Sequence, residues 1–318
     1  MVVGGALLLS ATGFAPVAES REAPPKSKLG IHLIGPYTAG AKLIVAANLP
    51  ILKLLDLHDD MRAALKDYKT RHPQGIVVVR IYTPARYQIS DDPTTKGKEF
   101  WEKVILPQVS RLTPQEKRWV DYLEGPNEHD TFPAWDSTET AKWFSAFWIA
   151  VATEMSKAGF KPCLGSIPVG NPPGTPEEVA AKLGAFVRAL RLAKRLGGAW
   201  SYHSYTLHYT TDLNDESWYS LRYRRFYDLF RRRYPDLVDL PLLLTEGGVD
   251  NDGTQPIPGW HGRGNAEKFE QWLTWFDGQL KQNPYVKGCT LFEIGDPKSW
   301  SSFDLEPIAG WMATYLGR

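Results

Sequence analysis

Short apolar runs alternate with longer amphipathic segments along most of the chain. From Lys28 onward, each stretch rich in Val, Ile or Leu is followed by a segment whose apolar residues recur at helical spacing. This alternation predicts parallel strands joined by crossover helices. Eight such units are present, and their predicted strands cover residues 28–34, 51–56, 75–82, 118–124, 161–167, 199–206, 241–246 and 286–293.

Helix boundary signals support this interpretation in two places. Asp136 is placed to cap a helix that has Glu139 three positions on and ends at Gly159. Thr175 offers an N-cap oxygen, and Pro176 occupies the first turn, where its missing N–H has no cost. Eight strands and eight helices predict the α/β class, and specifically a single (β/α)8 TIM barrel over residues 28–318.

A doubly wound open sheet would show the same alternation of strands and helices. Such a sheet usually has a glycine-rich phosphate-binding turn after its first strand. The first predicted strand here is followed by Gly35-Pro36-Tyr37, which is not such a turn. The closed barrel is therefore the favoured architecture.

The first 27 residues differ in character from the rest. Residues 1–18, MVVGGALLLSATGFAPVA, form an apolar segment without Lys or Arg, similar to a secretory signal that lacks its positive front end. It is too short to span a bilayer comfortably, so no stable membrane insertion of the mature chain is expected. A misassigned start codon or a packed N-terminal helix are the alternatives. Residues 19–27 resemble a linker, and the expected location is secreted or in the cell envelope.

Composition and charge limit the partners. The chain has 318 residues, 43% hydrophobic and 23% charged, with a net charge of +1, so nucleic acid is not expected as a partner. Twelve tryptophans suit sugar binding and core packing equally. Cys163 and Cys289 fall on predicted strands 5 and 8, which are not neighbours, so no disulfide is expected. We expect a monomer.

Two acidic residues stand at the carboxyl ends of predicted strands, where barrel active sites form. Strand 4 runs into LEGPNEHD at 123–130, which contains Asn127 and Glu128, and strand 7 ends as LLLTEGGVD at 242–250, which contains Glu246. A single rim glutamate more often solvates a loop or caps a helix. Two of them, however, are the chemical minimum for cleaving a glycosidic bond, and this joint pattern favours that function.

These segments resemble the clan A glycoside hydrolases, retaining enzymes whose acid/base follows an Asn on strand 4 and whose nucleophile ends strand 7. Asn127-Glu128 and Glu246 match both places. His203 and Tyr205 on strand 6 are similar to the His-x-Tyr of many members. The resemblance implies that Glu128 is the acid/base and Glu246 the nucleophile, that Tyr205 hydrogen-bonds Glu246, and that His203 lines the carbohydrate site. Asn127, beside Glu128, offers a neutral amide that can hydrogen-bond a sugar hydroxyl.

An arginine near the nucleophile is a further feature of the clan, usually supplied by strand 2. The candidate here, Arg80 in VVVRIY, falls on predicted strand 3. Either the strand count is shifted by one or the role is filled differently, and a buried structural ion pair is an equal alternative.

Further substrate contacts are expected around strand 8 and two loops. By the same resemblance, Trp300 would be the platform beneath the sugar. Trp260, after strand 7, and Trp135, after the acid/base, are candidates for outer subsites. For all three tryptophans, core packing is an equal alternative. Glu293 is expected to hydrogen-bond sugar hydroxyls or its own loop.

Three other function classes compete. A metal-dependent barrel hydrolase usually needs paired histidines on strand 1, whereas His32 stands alone there, so we expect neither metal nor cofactor. A phosphate-binding barrel could use Gly247-Gly248, but Glu246 would repel the anion. A non-catalytic carbohydrate-binding barrel is the third, and the presence of both acids argues against it.

Overall fold

Eight parallel strands close into a barrel in the computed structural model, which describes residues 1, 26–128 and 133–317. Each strand pairs with its neighbours in chain order, and β1 closes the barrel by pairing with β8. The strands are β1 Leu29–Leu33, β2 Ile51–Leu55, β3 Ile76–Arg80, β4 Tyr122–Glu124, β5 Pro162–Ile167, β6 Ala199–Thr206, β7 Leu242–Val249 and β8 Val286–Ile294. The predicted (β/α)8 barrel is confirmed.

Helices follow the strands and cover the outside of the barrel. In the described residues they are α1 Ala39–Ala46, α2 Asp59–Arg71, α3 Pro93–Phe100, α4 Leu106–Val109, α5 Pro114–Trp119, α6 Thr138–Lys157, α7 Pro176–Arg195, α8 Leu213–Glu216, α9 Tyr223–Arg233, α10 Trp260–Arg263, α11 Ala266–Lys281 and α12 Ala309–Leu316. A π-helical turn, Trp101–Ile105, joins α3 to α4, and short 3-10 turns cover Pro235–Leu237 and Glu306–Ile308. Every helix in these ranges is too short or too polar to cross a membrane.

The prediction for strand 4 was wrong at its start. Residues 118 and 119 belong to α5, and the strand begins only at Tyr122. Thr113 and Glu116 form a reciprocal capping box at the start of α5, with Pro114 in its first turn, and these signals hold the segment in a helix. Its end at Glu124 agrees with the prediction, so the positions after it keep their place at the rim.

The two predicted helix starts had different outcomes. Thr175 caps α7 together with Glu178, as expected, with Pro176 in the first turn. The cap of α6 is Ser137 rather than Asp136, because the Ser137 hydroxyl accepts the backbone N–H of Thr140. Both cysteine thiols are buried and unbonded to each other.

Inward-facing side chains change from apolar to charged along the barrel axis. Ile51, Val78, Cys163, Ala199 and Leu243 form a small apolar cluster, separate from the main core between strands and helices. Successive residues of a strand point to opposite faces, so the residue two positions after each of these shares its inward direction. On β2 and β3 those next positions are Lys53 and Arg80. The apolar cluster therefore closes the barrel below a charged layer.

The segment of residues 1–18 interpreted as signal-like lies outside the described residues, apart from Met1.

Candidate active site

A cavity of about 320 Å³ opens at the carboxyl ends of the strands and contains both predicted catalytic acids. Its lining residues come from the ends of seven strands, all but β5, and the loops after them: Ile34, Leu55, Arg80, Ile81, Tyr82, Thr83, Asn127, Glu128, Tyr205, Glu246, Asp250, Pro258, Phe292, Trp300 and Phe303. Glu128 follows β4 and Glu246 lies within β7, so the order of strands alone brings together residues that are far apart in the chain.

Glu246 is almost completely buried and is surrounded by hydrogen-bond donors. Tyr205 donates its hydroxyl to Oε2 at 2.9 Å, and Arg80 donates Nη1 to Oε1 at 2.8 Å. Lys53 Nζ lies 3.3 Å from the same Oε1. Both carboxylate oxygens are thus held by donors in fixed directions, which fixes the orientation of the carboxylate toward the cavity.

Opposing effects act on the ionisation of Glu246. Burial would raise the pKa of its carboxyl group, but the electrostatic effects of His203, Lys53 and Arg80 outweigh burial and hold the pKa well below its usual range. Burial likewise raises the pKa of Tyr205, and the charge on Glu246 adds to this, so the phenol stays protonated as a donor. Glu246 is therefore an anion at neutral pH.

Glu128 lies across the cavity from Glu246 and is partly open to it. Its side chain is 28% exposed, and its Oε1 forms a short hydrogen bond with Nδ1 of the fully buried His203. The same His203 Nδ1 is 3.5 Å from Oε2 of Glu246. One ligand-type atom from each of these three side chains lies within 4.8 Å of the other two, so a Glu128 oxygen and a Glu246 oxygen are at most that far apart.

Arg80 lies at the end of β3, as the sequence predicted, and the strand count has not shifted. Besides Glu246, it donates to the side-chain oxygen of Asn127 through a short hydrogen bond. Asn127, the residue before Glu128, thereby links the loop after β4 to the arginine of β3. The cation that β2 itself contributes near Glu246 is Lys53.

Lys53 and Glu124 are charged residues of this site that the sequence analysis did not identify. Lys53 Nζ lies 2.8 Å from Oε2 of Glu124, with both side chains fully buried, and it also approaches Glu246. Thr245, the residue before Glu246, donates its hydroxyl to Glu124 through a short hydrogen bond. A signal was present in the sequence: Lys53 interrupts the apolar run ILKLL, and a charged residue inside a buried strand needs a partner.

Asp250 and Tyr82 were also missed. Asp250, one residue after β7, lines the cavity, and burial together with the charge of Glu128 raises the pKa of its carboxyl group. Tyr82, two residues after β3, is 64% exposed at the rim. Asp250 and Tyr82 both lie within two residues of a strand end. Position at a strand end was the criterion that identified Glu128 and Glu246, and the same criterion would have identified these two residues.

The predicted aromatic contacts divide into one at the cavity and two elsewhere. Trp300 lines the cavity, is 44% exposed and packs edge-on against Phe292 and Phe303. Trp135 and Trp260 are each only 3% exposed, which contradicts their assignment to outer subsites. Each ring packs instead against aromatic side chains of the helices outside the barrel.

Contacts of the two buried tryptophans show their packing role. Trp135 packs edge-on against Phe144 and Phe186, on α6 and α7. Trp260 stacks on Phe269, and its indole N–H reaches backbone oxygens of residues 303 and 304.

Glu293 lies outside the lining of the cavity. It is fully buried on β8 and accepts the backbone N–H of Asp296, which corresponds to the loop-bonding alternative of the sequence analysis. Burial raises the pKa of Glu293 to about 8. Phe292, one position earlier, faces the cavity instead.

The cluster of Glu128, His203 and Glu246 also has the spacing of a metal site. Both oxygens of Glu246 already accept hydrogen bonds, however, and two of its neighbours, Lys53 and Arg80, are cations that would repel a metal ion. The donor set therefore fits a metal poorly. The donors around Glu246 instead stabilise its ionised form next to the second carboxyl group, that of Glu128.

Structural comparison places this architecture among known barrels. A glycoside hydrolase family 5 enzyme from Prevotella bryantii has a TM-score of 0.54 at 10% identity, covering 95% of this chain and 100% of that one. An endo-beta-1,4-glucanase from Xanthomonas axonopodis pv. citri has a TM-score of 0.53 at 16% identity, covering 92% and 99%. An endo-beta-1,4-mannanase from Thermotoga petrophila has a TM-score of 0.50 at 9% identity, covering 91% and 76%.

These similarities establish a common fold. No protein-family model matches the sequence, and no curated protein matches it.

Proposed function

We propose that the chain is a retaining glycoside hydrolase, with Glu246 as nucleophile and Glu128 as acid/base. One observation carries this proposal: an oxygen of Glu128 lies within 4.8 Å of an oxygen of Glu246, inside the cavity at the carboxyl ends of the strands. Retaining glycosidases hold their two carboxyl groups about 5–5.5 Å apart, whereas inverting ones leave roughly 6.5–9.5 Å for a water molecule. The short separation favours double displacement.

In the first step, a carboxylate oxygen of Glu246 attacks the anomeric carbon while the bond to the leaving oxygen breaks. The proton of Glu128 passes to that oxygen, and the sugar becomes esterified to Glu246. In the second step, water gives its proton to Glu128 and displaces Glu246 from the anomeric carbon. Each displacement inverts the configuration, so two of them retain it.

The surroundings of each acid support these different duties. Glu246 is buried among donors that favour its charged form, as a nucleophile requires. Glu128 is more exposed, so leaving groups and water can reach it. Trp300 offers an apolar ring at the cavity wall, and Asp250 and Asn127 offer polar atoms for sugar hydroxyls.

Beta-1,4-linked glucans and mannans are the first substrates to test, since two of the structural neighbours are named for acting on them. Purified protein should release reducing sugar from one of these polymers or hydrolyse an aryl β-glycoside. Glu246→Gln should abolish the activity, and Glu139→Gln, an exposed glutamate on α6, should retain it. Polymer binding without hydrolysis by the unmodified protein would favour the non-catalytic carbohydrate-binding barrel.

A metal-dependent hydrolase is the alternative to test, because the spacing of Glu128, His203 and Glu246 would admit an ion, although Lys53 and Arg80 oppose one. Under the proposed mechanism, prolonged treatment with a chelator leaves the hydrolysis rate unchanged. A loss of rate that zinc or manganese restores would establish the metal-dependent class instead.

The proposal includes a setting outside the cytoplasm and a monomeric state. The apolar segment at residues 1–18 supports export to the medium or the cell envelope. Fractionation of the producing cells tests the location, and light scattering of the purified protein tests the oligomeric state.

A further inference from the structure

A second cavity, of about 390 Å³, lies on the flank of the barrel between α7 and α9. We call it the arginine groove, after the four arginines that line it: Arg222, Arg225, Arg232 and Arg233. Trp218 lines its upper part, next to the loops that follow β5 and β6. Because those loops leave the carboxyl ends of their strands, this end of the groove lies at the same face of the barrel as the active-site cavity.

The spacing of three of these arginines places them on one helix face. Arg222, Arg225, Leu229 and Arg232 follow one another at intervals of three or four residues, which aligns their side chains along α9. Arg222 and Arg225 are three positions apart on this face, so their like charges lie close together. Two acids, Glu177 and Asp228, also line the groove, but Asp228 already pairs with Arg231, which lies outside it.

Arg222 and Arg225 are fixed by neutral groups only. Arg222 is 5% exposed and donates to the backbone oxygens of Pro172 and Trp218, while its Nε has no hydrogen-bond partner. Arg225 donates to the backbone and side-chain oxygens of Ser217. Within the described part of the chain, none of the four arginines forms an ion pair within 4.0 Å, and the groove lining holds four positive charges against the two negative charges of Glu177 and Asp228.

Trp218 adds a flat apolar surface to this charge. The Arg225 guanidinium lies over its ring, 3.6 Å from the centroid, and the ring remains 41% exposed. The volume of the groove falls in the range of small-molecule pockets, roughly 300–1,000 Å³, and is large for a bare inorganic anion. Preorganised guanidinium groups beside an aromatic face suit a ring-shaped ligand that carries a carboxylate or sulfate.

We propose that the arginine groove binds an anionic sugar unit, and so anchors an acidic polysaccharide beside the catalytic face. The choice of a sugar rests on the proposed hydrolase function, while the choice of an anion rests on the groove alone. Carboxylates and sulfates share the chemistry that arginine recognises, because both present paired oxygens to the guanidinium fork.

Isothermal titration with Glu246→Gln protein, which cannot consume the ligand, tests binding directly. The probes are oligogalacturonate for the carboxylate, a heparin oligosaccharide for the sulfate, cello-oligosaccharide as the neutral sugar and sodium sulfate as the bare anion. We expect one of the two anionic oligosaccharides to bind, with affinity that falls as ionic strength rises. Equal binding of sodium sulfate would overturn the sugar assignment, and no binding of either anionic oligosaccharide would overturn the proposal.

Charge reversal locates the binding. Arg232→Glu/Arg233→Glu should weaken binding by about tenfold or more, because both side chains are exposed and replaceable without loss of core packing. Lys66→Glu/Arg118→Glu reverses two exposed charges on α2 and α5 and should leave the affinity within about twofold. Arg225→Ala is a second groove variant that avoids new negative charge. Equal weakening by the control pair, or unchanged affinity in both groove variants, would contradict the assignment.

Hydrolysis of a short neutral aryl glycoside separates this proposal from the proposed function. The groove variants should hydrolyse it at the unmodified rate, since none of their residues lines the active-site cavity. Hydrolysis without anion binding would reject the groove alone, and anion binding without hydrolysis would reject the hydrolase alone.

Discussion

At the scale of single residues, the catalytic assignment depends on how Glu246 is held. Three side chains from β2, β3 and β6 contact its carboxylate, and each contact should affect the acidity of the group as well as its orientation. Tyr205 is the neutral one of the three, so replacing it changes a hydrogen bond without changing the charge of the site.

Tyr205→Phe should fold normally and lose about ten- to hundredfold in kcat, the usual range for one hydrogen bond to a charged group. Its 2.9 Å bond favours the ionised form of Glu246, so its loss raises the pKa and moves the acid limb of the pH profile to higher pH. Tyr223→Phe removes a hydroxyl bonded to Asn283, away from the cavity, and serves as the control. Full activity with an unchanged acid limb in Tyr205→Phe would contradict the role.

Lys53→Met should be strongly destabilising, because it leaves the fully buried Glu124 without its cation. Breaking a buried pair from one side costs about 3–5 kcal/mol. The variant that also carries Glu124→Gln should recover part of that loss in urea unfolding, since it removes the uncompensated charge as well.

Activity separates a positioning role of Lys53 from a purely structural one. In the double variant, kcat should fall and the acid limb should move to higher pH, because Glu246 has lost one of its positive neighbours. Restored stability with an unchanged pH profile would assign Lys53 to stability alone.

At the scale of elements, the end of β4 places Asn127 and Glu128, and its position depends on close packing against α6. A Cβ on Gly125 would lie 2.3 Å from the ring of Trp148, which is buried on α6. A side chain at this position requires either the strand end or the helix to move.

Gly125→Ala should therefore lower both stability and kcat, because the displaced strand end carries the acid/base away from Glu246. Gly278→Ala is the matched substitution: nothing lies within 4 Å of its Cβ position on α11, so it should be neutral or stabilise by about 0.5–1 kcal/mol. Thermal unfolding and kcat of the two variants provide the comparison. A Gly125→Ala enzyme with unmodified kinetics would show that the approach of β4 to α6 is not critical.

The strand pattern could be read from the sequence because parallel barrel strands are buried on both faces and appear as short apolar runs. The start of β4 could not be predicted, because residues 118 and 119 run directly into the strand in the sequence. In the structure they are the last two residues of α5, whose start is fixed by the capping box of Thr113 and Glu116. Trp135 and Trp260 show a similar limit. In the sequence both tryptophans follow a strand end. Whether each ring faces the cavity or the core depends on the conformation of its loop, which tertiary packing determines.

The charged layer inside the barrel could be predicted only in part. Glu128 follows β4 and Glu246 lies near the end of β7, and both are visible in sequence at predicted strand ends. Lys53 lies in the middle of β2, and its partner Glu124 is the last residue of β4. Their partners come from strands distant in the chain, so no local spacing reveals the pair. Alternation along β2 and β3 indicates that Lys53 and Arg80 point inward, yet it does not indicate which carboxylate each one meets.

At the scale of the whole molecule, these buried acids connect catalysis to stability. The pKa values of Glu124 and Glu246 are both lowered in the folded protein, despite burial, by the cations Lys53 and Arg80. Unfolding exposes both carboxyl groups and returns their pKa to the ordinary value near 4.3. Their contribution is therefore complete above that range and is lost as pH falls toward the folded pKa values.

The contribution of these two acids to the free energy of unfolding should accordingly decrease as the pH falls from about 4.5 to about 2.5. Glu124→Gln, which cannot titrate, should show a shallower decrease than the unmodified protein. Urea unfolding at each pH measures both slopes. Identical slopes would mean that the buried acids do not titrate differently in the folded and unfolded chains.

The central claim is that Glu246 forms a covalent bond to the sugar. A 2-deoxy-2-fluoro glycoside with a good leaving group, of the sugar type the enzyme accepts, should accumulate this intermediate, because the fluorine slows its hydrolysis more than its formation. Peptide mass mapping should then find the fluorosugar on Glu246, with Glu128 unmodified. A label on any other residue, or a product of inverted configuration by NMR, would contradict the account.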